Sequence, residues 1–269
     1  MKTSRIKPLY LIITLIILSG CDMLGYHPYD CKIEGETGLT LKNIEKIEAK
    51  EYGDTLRFAV ISDTQRWYDD LNDAVRAINS HSEISFVINC GDLSDFGATD
   101  EFMWQRDIMQ RLKMPYICII GNHDMIGTGE SAYKEIFGSL NFTFKAGRTL
   151  FVCLNTNALE EKYMDEAPDF KFLQDALDMH RDDVDNTFVV IHAQPGSEQF
   201  NNNVKEQFHS FIQKFPGLQC CLSGHGHTYR DEALFNDSIH YIMCPCIHKR
   251  EFFIFTAANG NYSYERVGF

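Results

Sequence analysis

The chain has 269 residues, 44% of them hydrophobic and 23% charged, a balance that excludes collagen-like, low-complexity and wholly disordered classes. Its 25 Lys and Arg against 38 Asp and Glu leave a net charge of −13, which disfavours binding DNA, RNA or anionic lipid through bulk charge. A phosphate-bearing ligand would need a local positive centre, and metal ions are the direct way to supply one.

The amino terminus reads as a targeting segment. Lys2, Arg5 and Lys7 precede an apolar run over 9–18, followed by Ser19, Gly20 and Cys21. Ten residues make about 15 Å of helix, half of a bilayer core, so residues 1–20 form a signal peptide rather than a span. Leu18-Ser19-Gly20-Cys21 resembles the lipobox of bacterial lipoproteins. The resemblance implies export, lipid attachment at Cys21 and anchoring to a bacterial membrane, on its periplasmic or cell-surface side. The alternative is an ordinary cleaved signal with Cys21 incidental. Cleavage removes Lys2, Arg5 and Lys7 and moves the net charge from −13 to −16.

Residues 21–54 are a mixed, charged lead-in with one helix expected around 41–50. From residue 55 to 269 a single α/β domain is expected. Apolar, β-rich runs occur at 56–61, 84–89, 116–120, 150–155, 187–192 and 218–222. Helix-period segments lie between most of them, at 69–80, 99–113, 130–137, 169–181 and 204–215. This alternation argues a largely parallel core. Closely spaced strands follow at 239–243, 252–256 and 262–266, with Asn259-Gly260 as a hairpin turn between the last two. Apart from Cys21, eight cysteines remain, and Cys90, Cys118, Cys153, Cys220 and Cys221 sit inside apolar runs. They read as small buried hydrophobes, with Cys220 and Cys221 on opposite faces of one strand. Zinc ligation by Cys244 and Cys246 is the sharper alternative, but no matching CxxC or CxxH pair accompanies them.

Most of the apolar runs end in residues of metal-ligand type. The sequence gives, in order, Asp63-Thr64-Gln65, Gly91-Asp92-Leu93-Ser94-Asp95, Gly121-Asn122-His123-Asp124, His192-Ala193-Gln194-Pro195 and Gly224-His225-Gly226-His227. In open α/β sheets ligands collect beyond the carboxyl ends of strands, so the clusters can converge on one site. A lone Asp after a strand is usually a cap or turn residue, and a lone His is usually a satisfied core residue. Five such clusters in order are a different matter. Oxygen donors mixed with imidazoles suit a borderline divalent metal such as Mn²⁺, Fe²⁺ or Zn²⁺.

The series DxQ, GDxxD, GNHD, HxQP and GHxH resembles the calcineurin-like metallophosphoesterases, over roughly residue 56 to the C-terminus. The resemblance implies a four-layer sandwich, two β-sheets flanked by helices, holding two divalent metal ions. It places Asp92 between the two metals. Asp63, Gln65 and His227 would complete the first, and Asn122, His192 and His225 the second. His123 would stand beside them as acid or phosphate contact, its ring oriented by Asp95. Most of the family has His where this chain has Gln65, which implies a weaker, harder first site favouring Mn²⁺ or Mg²⁺ over Zn²⁺. The implied reaction is hydrolysis of phosphate mono- or diesters by a bridging hydroxide. The competing reading is a lipid-anchored, non-catalytic protein with a degenerate centre, binding phosphorylated ligands or glycans. Arg66, Trp67, Tyr68, Asn155, Asn157 and Tyr229 are further candidates for substrate contact or, equally, for packing. Asn201 to Asn203 read as a plain polar loop.

Overall fold

The computed structural model describes residues 32–163 and 166–269. The expected signal segment and Cys21 lie outside the described residues. Strand β1 (Thr55–Ile61) shows how one run builds two layers. Phe58 and Val60 point to one core while Ala59 and Ile61 point to another. β1 pairs in parallel with β2 (Val87–Asn89), and β2 with β3 (Tyr116–Cys118). On the other side β1 pairs antiparallel with β10 (Glu251–Ala258), and β10 with β11 (Asn261–Gly268). Asn259 and Gly260 join the last two strands, both with positive φ, as a tight hairpin of this kind requires.

The second sheet has the order β4 (Phe142–Ala146), β5 (Thr149–Leu154), β6 (Asn186–Ile191), β7 (Leu218–Ser223), β9 (His240–Met243) and β8 (Arg230–Glu232). β5, β6, β7 and β9 run parallel, with an antiparallel strand at each edge. Between the sheets lies a lattice of phenylalanine rings. Phe58 alone sits 5.1–5.5 Å, centroid to centroid, from Phe86, Phe151, Phe188 and Phe255. Helices α2 (Tyr68–Ile78), α3 (Thr99–Met109) and α4 (Gly129–Ile136) cover the outer face of the first sheet. α5 (Phe170–His180) and α6 (Lys205–Ile212) cover that of the second. The expected four-layer sandwich of two mixed β-sheets flanked by helices is present.

Three local readings are revised. The lead-in helix, α1 (Leu39–Glu48), is part of the sandwich: it lies against β3 and β4, and Ile47 enters the inter-sheet core. The run at 84–89 pairs only over its last three residues and the run at 116–120 only over its first three, because after Cys118 the chain leaves the ladder to form one of the loops described next. β4 and β8 were not expected. The three residues of β8 are all exposed, so no apolar pattern marks them. The cysteines behave as read. All seven described ones are free and buried, with Cys220 in the inter-sheet core and Cys221 in the outer one. Cys244 donates its thiol to Val60 O at 3.6 Å, and no cysteine joins a metal-ligating group among the described residues.

Candidate metal centre

All five clusters meet at the carboxyl ends of the parallel strands. The loop after β1 is clasped to the loop after β2: Asp63 N donates to Gly91 O, and Thr64 N and Gln65 N both donate to Asp92 O, each at 3.0 Å. Gly121 permits the third loop to press against these. A Cβ there would lie 2.1 Å from Asp92 Oδ1. Of the eight non-glycine residues with positive φ among the described residues, Asp63, Arg66, Asp92, His225 and His227 belong to this region. Left-handed backbone costs an L-residue about 1–2 kcal/mol, and such strain concentrates where side chains must be aimed.

Two groups of ligand atoms result, each gathered within 4.8 Å: Asp92, His192 and His225, and Asp63, Asp92 and His227. They share Asp92. Asn122 extends the first group, its Oδ1 lying 3.1 Å from His192 Nε2 and 3.0 Å from His225 Nδ1. Gln65 extends the second, with Nε2 donating to Asp92 Oδ2 at 3.3 Å. The remaining amide atom, Gln65 Oε1, is buried with no hydrogen-bond partner among the described residues. A buried carbonyl oxygen without a donor is costly, and a cation would satisfy it.

The imidazoles make the same demand. His192 Nδ1 donates to Cys90 O at 2.7 Å, and His225 Nε2 donates to Glu198 Oε1 at 2.9 Å. The inward nitrogen of each ring then faces Asn122 Oδ1, and that of His192 also faces Asp92 Oδ2, an arrangement that a cation would satisfy. Burial opposes charge on His192, but Asp92 Oδ2 at 3.3 Å outweighs it and pushes the imidazole up to about 9. Burial likewise opposes ionisation of Asp92, yet His192 and the His123 amide hold its carboxyl below the usual range. His227, half exposed, is raised by Asp63 Oδ1 at 3.3 Å. These electron-rich side chains fit a divalent cation.

His123 stands beside the groups with its side chain one-third exposed. Its Nδ1 donates to the backbone carbonyl of Asp95 at 2.8 Å, while the Asp95 carboxylate is 3.8 Å away and ion-paired with Arg66. Asp95 therefore orients the ring through its main chain rather than its side chain. Glu198 and Asp124 are contributors that sequence reasoning missed. Asp124 accepts Leu93 N, Ser94 N and Ser94 Oγ on one oxygen and Gly121 N on the other, at 2.7–3.0 Å, tying the second loop to the third. Burial, with Asp92 nearby, pushes its carboxyl up to about 7. Its place in GNHD was the available signal. Glu198 lies in a polar loop with none.

The remaining candidates have partners within the protein. Trp67 stacks on His248 at 3.8 Å. Tyr68 packs edge-on to Trp104. Asn155 and Asn157 are buried, Asn155 donating to Glu161 Oε1 at 2.6 Å and Asn157 to Ile120 O at 3.2 Å. Tyr229 bonds Tyr264 at 2.8 Å beneath Arg266. The Asn201–Val204 segment does more than expected: Asn202 accepts from Gly196 N and donates to Ser197 O, bracing the loop that carries Glu198.

Comparison with known proteins places the fold and the family. Over 58 residues the chain is 33% identical to a probable cyclic nucleotide phosphodiesterase of Xenorhabdus bovienii, a stretch covering 22% of this chain and 24% of that relative. Solved structures with a similar fold include a dimetal phosphatase from Danio rerio, with 13% identity, a TM-score of 0.59, and 79% of this chain and 98% of that one covered. A purple acid phosphatase from yellow lupin seeds gives 12% identity and a TM-score of 0.64, covering 81% of this chain and 52% of that one. GAP50, the anchor in the inner membrane complex of Plasmodium, gives 14% and 0.61, covering 80% and 85%. The calcineurin-like phosphoesterase model matches residues 56–229, from β1 through the last histidine cluster. The chain belongs to the calcineurin-like phosphoesterase family.

Proposed function

We propose that this protein is a metal-dependent hydrolase of phosphate esters with two metal sites that share Asp92. The observation that carries the reading is the pair of ligand groups joined at Asp92, with the unpartnered Gln65 Oε1 beside them. Asp63, Gln65, Asp92 and His227 would hold one ion, and Asp92, Asn122, His192 and His225 the other. When bound, a metal pair supplies a water acidic enough to attack phosphorus in line and neutralises the phosphoryl oxygens. The protein's own groups do the rest. Cys90 O and Glu198 fix the two inner imidazoles so that one nitrogen of each faces inward. Asp95 O fixes His123 by Nδ1, leaving Nε2 to carry a proton to the departing oxygen.

The substrate class follows from the family: phosphate mono- or diesters, with diesters the first to test because of the Xenorhabdus relative's name. The oxygen of Gln65 in place of an imidazole favours Mn²⁺ over Zn²⁺ at the first site. Export and a lipid at Cys21 are proposed from residues 1–21 alone. No described helix is long and apolar enough to cross a membrane. Release of p-nitrophenol from bis(p-nitrophenyl) phosphate and p-nitrophenyl phosphate, with Mn²⁺ and with EDTA, tests the activity. Turnover that depends on metal and vanishes in Asp92→Ala supports it. No turnover of either ester would point to the non-catalytic binding protein instead.

A further inference from the structure

Beside His225 the candidate centre adjoins a cavity of about 420 Å³, lined by residues that include Gln194, Glu198, His225, Arg230 and Glu232. Its volume falls in the range that encloses a small-molecule ligand. Arg230 opens β8 opposite Met243, the last residue of β9, and so stands at the carboxyl end of the second sheet, the end that carries the ligand groups. Seven of the ten arginines among the described residues pair with a carboxylate, Arg66, Arg148, Arg250 and Arg266 among them. Arg230 differs. Among the described residues its guanidinium has no ion pair or hydrogen bond, although Glu232 lies two residues along the same strand face. Glu198, the other carboxylate of the lining, is committed to His225. An unneutralised guanidinium is a fork built for the planar oxygens of a phosphoryl or carboxylate group.

We propose that this cavity is a second, anionic subsite, in which Arg230 binds a negatively charged group of the substrate remote from the reacting phosphorus. The proposal rests on the phosphoesterase reading and narrows its substrate class to phosphoesters bearing a second anionic oxygen group. Glu232 opposes that charge and sets an upper limit on the attraction. The two residues therefore have opposite effects on one quantity, the preference for a charged over an uncharged remote group.

The test uses the full chain loaded with Mn²⁺ and three chromogenic diesters: thymidine 5′-(p-nitrophenyl phosphate), its 3′-phosphorylated form and its 3′-succinylated form. The reacting group is the same in all three. The unmodified protein should favour the charged esters by about tenfold in kcat/KM, chiefly through KM. Arg230→Gln should bring the ratio near one, Arg230→Lys should keep part of it, and Glu232→Gln should raise it. Preference for the phosphate alone identifies a phosphoryl group as the occupant, and equal preference for the succinate identifies any anionic oxygen group. A ratio unchanged by both Arg230→Gln and Glu232→Gln overturns the subsite. If no ester turns over, the phosphoesterase reading has failed and binding decides. Calorimetry with methylenediphosphonate on metal-free protein should show about tenfold weaker binding in Arg230→Gln. Equal binding, or none in either protein, overturns the proposal.

Discussion

Glu198 Oε1 accepts a hydrogen bond from His225 Nε2 at 2.9 Å, although the carboxylate is 73% exposed and reaches in from a loop. The contact turns His225 Nδ1 toward Asn122 and the shared Asp92. Partners of this kind typically contribute 10–100-fold to metal affinity. Glu198→Ala should weaken the site containing His225 by about tenfold, with Glu198→Gln retaining much of the affinity because its carbonyl still accepts. Mn²⁺ titration followed by calorimetry reads this directly, and equal affinities in all three proteins would remove Glu198 from the account.

His123 should matter in proportion to how badly the departing oxygen needs a proton. On an alkyl phosphoester His123→Ala should lose ~10²–10⁴-fold in kcat with its metals retained, and markedly less on a p-nitrophenyl ester. Because the ring is held by the Asp95 backbone carbonyl, Asp95→Asn should leave that orientation in place and cost far less than His123→Ala. Equal losses on both leaving groups would assign His123 to phosphate binding instead.

The lead-in should behave as part of the fold. Ile47 is 1% exposed in the inter-sheet core, whereas Leu41, on the same helix, is 65% exposed. Ile47→Ala should cost about 2–5 kcal/mol of stability, as large-to-small core changes do. Leu41→Ala should stay within about 0.5 kcal/mol. Chemical denaturation of both variants separates them, and similar midpoints would mean that α1 is merely appended.

As a proposed ligand, Gln65 would set the hardness of its site. Gln65→His supplies a stronger donor at the position where Oε1 is unpartnered, so metal retention after gel filtration should rise and its preference should move toward Zn²⁺. Elemental analysis checks both. Unchanged content and preference would show that Gln65 does not ligate.

Much of this was legible in the residues because burial leaves a pattern. Runs such as Phe188 to Ile191 are apolar on both faces, as strands buried between two layers must be, and the polar residues that break them mark the carboxyl ends where the clusters meet. What escaped has no such pattern. Arg230, Asp231 and Glu232 form a strand without burying a side chain. Glu198 is 27 residues from His225, and only the fold brings them together. The His123 contact goes to a main-chain carbonyl, which every residue carries, so the sequence suggested the Asp95 carboxylate instead. α1 looked peripheral because its exposed charged residues outnumber the buried Leu39 and Ile47.

If Asp92 belongs to both metal sites, as proposed, metal stoichiometry must show it. After reconstitution with Mn²⁺ and removal of free ion, the unmodified protein should hold about two ions per chain, consistent with a shared-carboxylate pair. His227→Ala should lose one of them. Asp92→Ala should lose both, while retaining the far-ultraviolet circular dichroism of the folded chain. An Asp92→Ala protein that keeps as much metal as His227→Ala would contradict the shared site.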